Sequence, residues 1–420
     1  MSRVVIAAMG TRGDVVPLAG LGDRLRRAGH EVAVATAEAF RGLVEPAGLE
    51  FRRLPGDPEG GAQTEAYKQY FEKGHSSRTL KELIPSMVED MRQMGRPLAE
   101  AAKDADVLLT GFPTEQLAYQ VGLGLGIPTA GAFLVPLAPT GEFPPPPLPM
   151  RSLGRLGNRL TWALAAEGAR MFQGVVNDLR RDLSLPPTTP KAVRREQHER
   201  RWPILHGFSE HVVPRPRDWR PGLDVVGYWF APMRNWEPPA RLRDFLADGP
   251  PPVYFGYGSG SENVAGRLAE ITATVARKAG VRAVVSNLDV DGDDMISVGH
   301  VDFDWLFPRM QALVHHGGAG TTALGLWSGT PAVTVPMFVD QHFWGARLVK
   351  LGASPDSIPY QKLHRQKLDP DRLVAAVRGV IGDGSYRART QHLSARIQDE
   401  DGPEAVVRLV NQLAAAQGVR

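Results

Sequence analysis

The chain contains no cysteine among its 420 residues. Disulfide bonds, thiolate metal sites and a cysteine nucleophile are therefore excluded. Long apolar runs are also missing. The first one, Val4 to Met9, is six residues, too short for a signal-peptide core or a membrane span, and nowhere do about 18 apolar residues follow one another. A soluble, cytoplasmic protein without stable membrane insertion is expected. Charge of one sign is scarce as well: 49 Lys and Arg against 46 Asp and Glu leave +3, with no basic tail, so no nucleic-acid partner is indicated. What is present is globular in character. Hydrophobic residues make up 43% and charged residues 23%, which excludes wholesale disorder and a fibrous chain, and the length implies two or three domains.

Short apolar runs alternate with helical patterns through the first 130 or so residues, the signature of βαβ units on a parallel sheet. Strands are expected at Val4 to Met9, Glu31 to Thr36, Glu50 to Leu54, Val107 to Thr110 and Ile127 to Phe133. Helices are expected over Val15 to Ala28, with Leu18, Leu21 and Leu25 on one stripe, and over Ala37 to Ala47. The pattern loosens from Leu134 to Trp202, through the proline-rich Phe143 to Pro149 and the charged run Lys191 to Arg201, whose Arg194, Arg195, Arg200 and Arg201 read as a solvated face. Six prolines between His211 and Pro239 suggest a linker. The alternation then restarts, with strands at Val253 to Tyr257, Val281 to Ser286, Ile296 to Val298, Ala312 to His315 and Pro331 to Pro336, and a helix over Asn263 to Ala279. The expected fold class is α/β: two Rossmann-like, doubly wound domains facing each other across a crevice. The boundaries are 1–215 for the first domain, 216–239 for the linker, 240–402 for the second domain, and 403–420 for a C-terminal helix that can pack back on the first domain.

The segment His315 to Thr322, His-His-Gly-Gly-Ala-Gly-Thr-Thr, leaves a buried strand, turns on glycines and opens a helix whose amides and dipole favour an anion such as a diphosphate. The alternative is a tight strand-to-helix turn with two incidental histidines. A twin-histidine zinc site is disfavoured, because neighbouring strand residues point to opposite faces. Two further glycine turns end the first strand of each half: Gly10, Thr11, Arg12, Gly13 and Asp14 in one, and Gly256, Tyr257, Gly258, Ser259 and Gly260 in the other. Neither is a dinucleotide fingerprint or a P-loop, and the first reads equally as a turn with a solvated Arg and Asp. Asp340 and Gln341 follow a strand and can both accept and donate hydrogen bonds to sugar hydroxyls. Asp289 to Asp294 mimics a calcium loop but has His300 where a bidentate Glu is needed. Asp302-Phe303-Asp304 looks like a metal-binding DxD, yet its flanks suggest a loop entering a helix, with Asp304 as the N-cap. His30, between helix and strand, reads as structural.

Two long strings, GTRGDVVPLAGLGDRLRRAGHEVAVAT and LFPRMQALVHHGGAGTTALGLWSGTPAVTVPMFVDQHFWGARLVKLG, resemble the GT-B, family 1 nucleotide-sugar glycosyltransferases, in particular sterol 3β-glucosyltransferases and bacterial enzymes that decorate natural products. The resemblance implies that His316 contacts the donor diphosphate, with Gly318, Ala319, Gly320 and Thr321 completing the cradle. It further implies that Asp340 and Gln341 hold the sugar, that Ser259 lies near a phosphate, and that Val301 packs on the nucleobase. Asp14 falls where many relatives have a catalytic histidine. The usual partner aspartate is replaced by Thr110 or Gly111, so no relay dyad is expected. Phe343-Trp344-Gly345 and the Gly256 to Gly260 turn tilt the donor toward UDP-glucose, with a TDP-deoxysugar as the other choice.

The expected activity is inverting transfer of a hexose from a UDP- or TDP-sugar to a hydroxyl of an apolar polycyclic or macrocyclic acceptor, with no cofactor and no metal. Asp14 accepts or orients the acceptor proton, and burial has to raise its pKa for it to serve as a base. His75 is the reserve candidate for that base. The competing readings are a non-catalytic nucleotide-sugar-binding auxiliary protein and a Rossmann oxidoreductase, the latter disfavoured by the missing fingerprint.

Overall fold

The computed structural model describes residues 1–56, 77–231, 236–258, 261–290, 292–361 and 370–417. The chain forms two compact units, one of Met1–Ala231 with Glu400–Arg420, the other of Pro232–Asp399. The expected candidates His75 and Ser259 lie outside the described residues.

In the first unit the strands are β1 (Arg3–Ala7), β2 (Glu31–Ala37), β3 (Glu50–Leu54), β4 (Val107–Thr110), β5 (Thr129–Phe133), β6 (Ile204–His206) and β7 (Leu223–Val225). They form one sheet in the order β3-β2-β1-β4-β5-β6-β7, every pair parallel. Strands covered on both faces need continuous apolar sequence, and Val4 to Ala8 and Val107 to Leu109 are accordingly buried. The helix that follows β1, α1 (Arg12–Arg27), buries Leu18, Leu21 and Leu25 against that sheet, the stripe expected from a 3.6-residue period. A helix at Glu115–Leu125 (α2) follows β4, and one at Pro190–Glu199 (α3) carries the charged run, with Arg195 and Arg200 exposed and paired along the helix to Glu199 and Glu196.

The second unit repeats the architecture with five parallel strands, β8 (Val253–Gly256), β9 (Ala283–Ser286), β10 (Met295–Val298), β11 (Ala312–His315) and β12 (Ala332–Thr334), in the order β10-β9-β8-β11-β12. Its helices include α4 (Ala265–Ala279), α5 (Ala319–Trp327) and α6 (Gln341–Leu351). Leu268, Ile271 and Val275 of α4 pack with Val253, Phe255, Val314 and Val333 in the core. The last helix, α7 (Gly402–Gln417), belongs to the first unit. Its Val406, Val407 and Val410 join the core of that unit, and Arg24 of α1 pairs with Glu404 at 2.9 Å.

The structure differs from the sequence expectations at definable places. The helix expected over Ala37 to Ala47 is broken into 3₁₀ turns at Glu38–Phe40 and Glu45–Ala47 around a single α turn, where Pro46 cannot donate to a continuing helix. Leu223–Val225, inside the stretch 216–239 expected as linker, is the edge strand of the first sheet, and the first unit runs on to Ala231. The prolines there shape a packed segment: Trp219 is buried and stacks on His206 with ring centroids 4.4 Å apart. Proline marks backbone that is neither helical nor central strand, which is a different property from exposure. Among the described residues no helix is long and apolar enough to cross a membrane.

Candidate active site

β8 and β11 are neighbours, with Gly256 opposite His315, and the chain leaves this pair toward opposite edges of the sheet. That reversal opens a cleft at the carboxyl ends of the two strands, and both glycine turns of the second unit lead out of it. His315 is fully buried; its Nδ1 accepts the Gly317 amide at 3.1 Å, and burial pushes its pKa down to about 3. His316 is only half-buried by area, and its ring stands nearly perpendicular to that of His315 (86°). Burial lowers its pKa to about 4, with the Gly256 carbonyl pulling the other way, so the imidazole is neutral at pH 7. The ring is clasped between two glycines. A β-carbon on Gly258 would come within 2.9 Å of His316 Nε2, and one on Gly318 would come closer still. Gly258 has in addition φ +78°, a conformation costly for any residue with a side chain.

Gly318 is the N-cap of α5 and offers no side chain. The amides of Ala319, Gly320 and Thr321 therefore have no acceptor within the helix, and the positive end of its dipole coincides with His316. The next turn along the sheet edge follows β12. Asp340, half-buried, accepts a hydrogen bond from Trp344 Nε1 at 2.7 Å, one turn along α6. Gln341, 5% exposed, uses Oε1 to accept the amides of Met337 and Phe338 at 2.8 and 3.3 Å, which leaves its amide nitrogen to donate. Val301 is 7% exposed. The N-cap expected at Asp304 is instead Asp302, whose carboxylate accepts the Asp304 amide at 2.9 Å: the side chain before the helix, not the one inside it, faces the unsatisfied amide. Among the described residues no group of three or more His, Asp or Glu is arranged to hold a metal.

In the first unit the reversal lies between β1 and β4, where Ala7 faces Thr110. Thr11 is the N-cap of α1 and Asp14 its third residue. Asp14 Oδ2 accepts both the Thr11 amide (2.8 Å) and the Thr11 hydroxyl (3.0 Å), so both Thr11 donors are engaged by Asp14. Burial raises the Asp14 pKa above the ordinary carboxylate value against the pull of these two bonds. Gly10, at φ +124°, leaves room for the carboxylate, since a β-carbon there would collide with it. Arg12 is half-buried and Gly13 exposed. Thr110 bonds Thr114 at 2.8 Å and the Gly111 carbonyl at 3.0 Å, and no second carboxylate or histidine holds Asp14 among the described residues.

Two contacts escape the sequence reading. The Asp340–Trp344 bond follows from their i,i+4 spacing on one helix, a signal that was available. The bond from Gln197 Nε2 to Glu115 Oε1 (3.0 Å) joins residues 82 positions apart, and nothing local announces it.

Residues 4–116 match the glycosyltransferase family 28 N-terminal domain, and residues 263–413 the erythromycin biosynthesis protein CIII-like C-terminal domain. The chain is 35% identical to O-mycaminosyltylonolide 6-deoxyallosyltransferase of Streptomyces fradiae, over 98% of this chain and 97% of that one. The chain belongs to the GT-B glycosyltransferases. This glycosyltransferase is also 33% identical to a sterol 3-beta-glucosyltransferase of Arabidopsis thaliana, covering 97% of its own length and 64% of the plant protein. Its fold matches the glycotransferase of kitacinnamycin (TM-score 0.71, 18% identity, 98% and 99% of the two chains). It also matches a Streptomyces sp. SF2575 glycosyltransferase complexed with thymidine diphosphate (TM-score 0.64, 21% identity, 98% and 100%).

Proposed function

We propose that this glycosyltransferase moves a hexose from a nucleoside-diphosphate sugar to a hydroxyl of an apolar polycyclic or macrocyclic acceptor, with inversion and without a metal ion. The observation that carries the reading is the neutral imidazole of His316, clasped by Gly258 and Gly318 at the uncapped N-terminus of α5. A diphosphate placed there meets an N–H donor, three backbone amides and the positive end of a helix dipole. These are the groups that stabilise charge as it develops on a leaving phosphate. Asp340 and the Gln341 amide nitrogen are assigned to the sugar hydroxyls, Val301 to the face of the nucleobase, and the Gly10 to Gly13 turn to the donor side.

Asp14 is assigned the acceptor proton. An ordinary aspartate, with a pKa of about 3.9, is a weak base toward an alcohol. The upward shift caused by burial moves Asp14 toward the range where a general base is effective. UDP-glucose is the donor suggested by the sterol glucosyltransferase relatives. A TDP-6-deoxyhexose is the second reading, favoured by the name of the full-length Streptomyces relative. Calorimetric titration with UDP-glucose, TDP-glucose and NADH, followed by mass spectrometry of an aglycone panel with the donor that binds, tests the proposal. Binding of NADH alone, or donor binding without any glycosylated product, would overturn it in favour of an oxidoreductase or an auxiliary protein.

A further inference from the structure

Asp340 is held from two sides, by a buried indole and by a constrained turn. Trp344, one helical turn along α6, donates through Nε1 to Asp340 Oδ2 at 2.7 Å, and the amides of Phe343 and Trp344 bond the Asp340 carbonyl at 2.9 and 3.1 Å. Trp344 is fully buried, with the Phe343 ring edge-on to it at 5.2 Å. The helix lies close on β12, since a β-carbon on Gly345 would come within 2.6 Å of Thr334 Oγ1. An indole packed in this way cannot swing to another rotamer, so its N–H is a fixed donor. On the other side Val339 precedes Asp340 at φ +51°, a left-handed conformation that a β-branched residue adopts only under constraint. The Val339 side chain is exposed, so the conformation serves the path of the backbone into α6 and not the packing of that side chain. The turn from His316 to Gly318 abuts the same place: a β-carbon on Gly317, at φ +83°, would come within 2.9 Å of the Gln341 carbonyl oxygen.

A carboxylate recognises a hydroxyl well only where its oxygens are already oriented, because ordering a free side chain offsets the bond it forms. We infer that Trp344 is a positioning residue for the donor sugar. Its indole N–H sets the Asp340 carboxylate toward the hexose hydroxyls and so contributes to recognition of the sugar, while recognition of the nucleoside diphosphate belongs to His316 and α5. The inference rests on the assignment of Asp340 to the sugar. Any buried tryptophan needs a partner for its N–H, but a purely structural Trp344 would affect the binding of sugar nucleotide and of nucleoside diphosphate alike.

The test compares, by calorimetry on the full-length protein, UDP-glucose with UDP and TDP-glucose with TDP. Trp344→Phe removes the N–H and keeps an aromatic ring in the core. It should weaken the sugar nucleotide about fivefold or more and leave the bare diphosphate within about twofold. Replacing Trp344 by 3-benzothienylalanine, which has the same shape with sulfur in place of N–H, should give the same selective loss and serves if the phenylalanine variant does not fold. Asp340→Ala should itself show the selective loss, and in that background Trp344→Phe should add little to it. Equal losses on sugar nucleotide and diphosphate, no loss on either, a benzothienyl protein that binds like the wild type, or full additivity with Asp340→Ala would make Trp344 a packing residue. Each would overturn the inference while leaving Asp340 its sugar. If Asp340→Ala binds the sugar nucleotide as the wild type does, the assignment of Asp340 fails, and the inference with it.

Discussion

Thr11 gives both its amide and its hydroxyl to a single oxygen of Asp14, at 2.8 and 3.0 Å. The carboxylate is thereby fixed in the first turn of α1, with its other oxygen left over. This is a strong restraint on a group that burial already disfavours in its charged form.

Asp14→Asn preserves the shape and can still accept from Thr11, but it cannot take a proton. Turnover should fall by about 10² to 10⁴, with donor affinity by calorimetry nearly unchanged. Loss of donor binding would make the residue structural, and normal turnover would place the base elsewhere.

The same residue sets a pH dependence. Its folded pKa lies above the ordinary value, so its contribution to stability is present below the unfolded pKa and lost as pH rises through the folded one. Activity runs the opposite way, because the base must be ionised. The acid limb of kcat/KM should therefore lie above the ordinary aspartate pKa and disappear in Asp14→Asn. A profile of unchanged shape in the variant would contradict the assignment.

Removing the imidazole by His316→Ala should weaken nucleotide-sugar binding by about 1 to 3 kcal/mol. Isothermal titration of wild type and variant measures this directly, and equal affinities would end the phosphate role.

Gly318→Ala tests the clasp. Gly318 sits at φ −63°, which alanine adopts freely, so the substitution carries no backbone penalty and acts by crowding the His316 ring. Donor affinity should fall in the single variant. In the His316→Ala background the same change should cost much less, a coupling that a double-mutant cycle reads. Full additivity would show that the ring does not depend on the glycine.

Activity should survive EDTA, because α5 and His316 supply the charge stabilisation that a divalent cation would otherwise bring. Asp302, the first carboxylate of the DxD-like string, is already engaged by the Asp304 amide. Loss of turnover restored by Mg²⁺ would overturn this.

Much of this organisation is written locally. Parallel strands covered on both faces must be apolar throughout, so β1, β4 and β11 appear in the sequence as short runs bounded by helical patterns. The glycines after β8 and β11 mark where backbone must turn sharply, and they point to the His316 turn before any coordinate does. β6 and β7 do not show, because each is three residues set among prolines, arginines and aspartate, unlike the equally short β12, which lies in the apolar run Pro331 to Pro336; their strand character comes from pairing with a neighbour. The register that sets Gly256 opposite His315, and so brings Gly258 against His316, joins segments nearly sixty residues apart. Local pattern cannot encode such a pairing; the packing of the sheet decides it. Charge state follows the same rule: the sequence supplies an aspartate and a histidine of ordinary chemistry, and only burial in the folded chain raises Asp14 and holds His316 neutral.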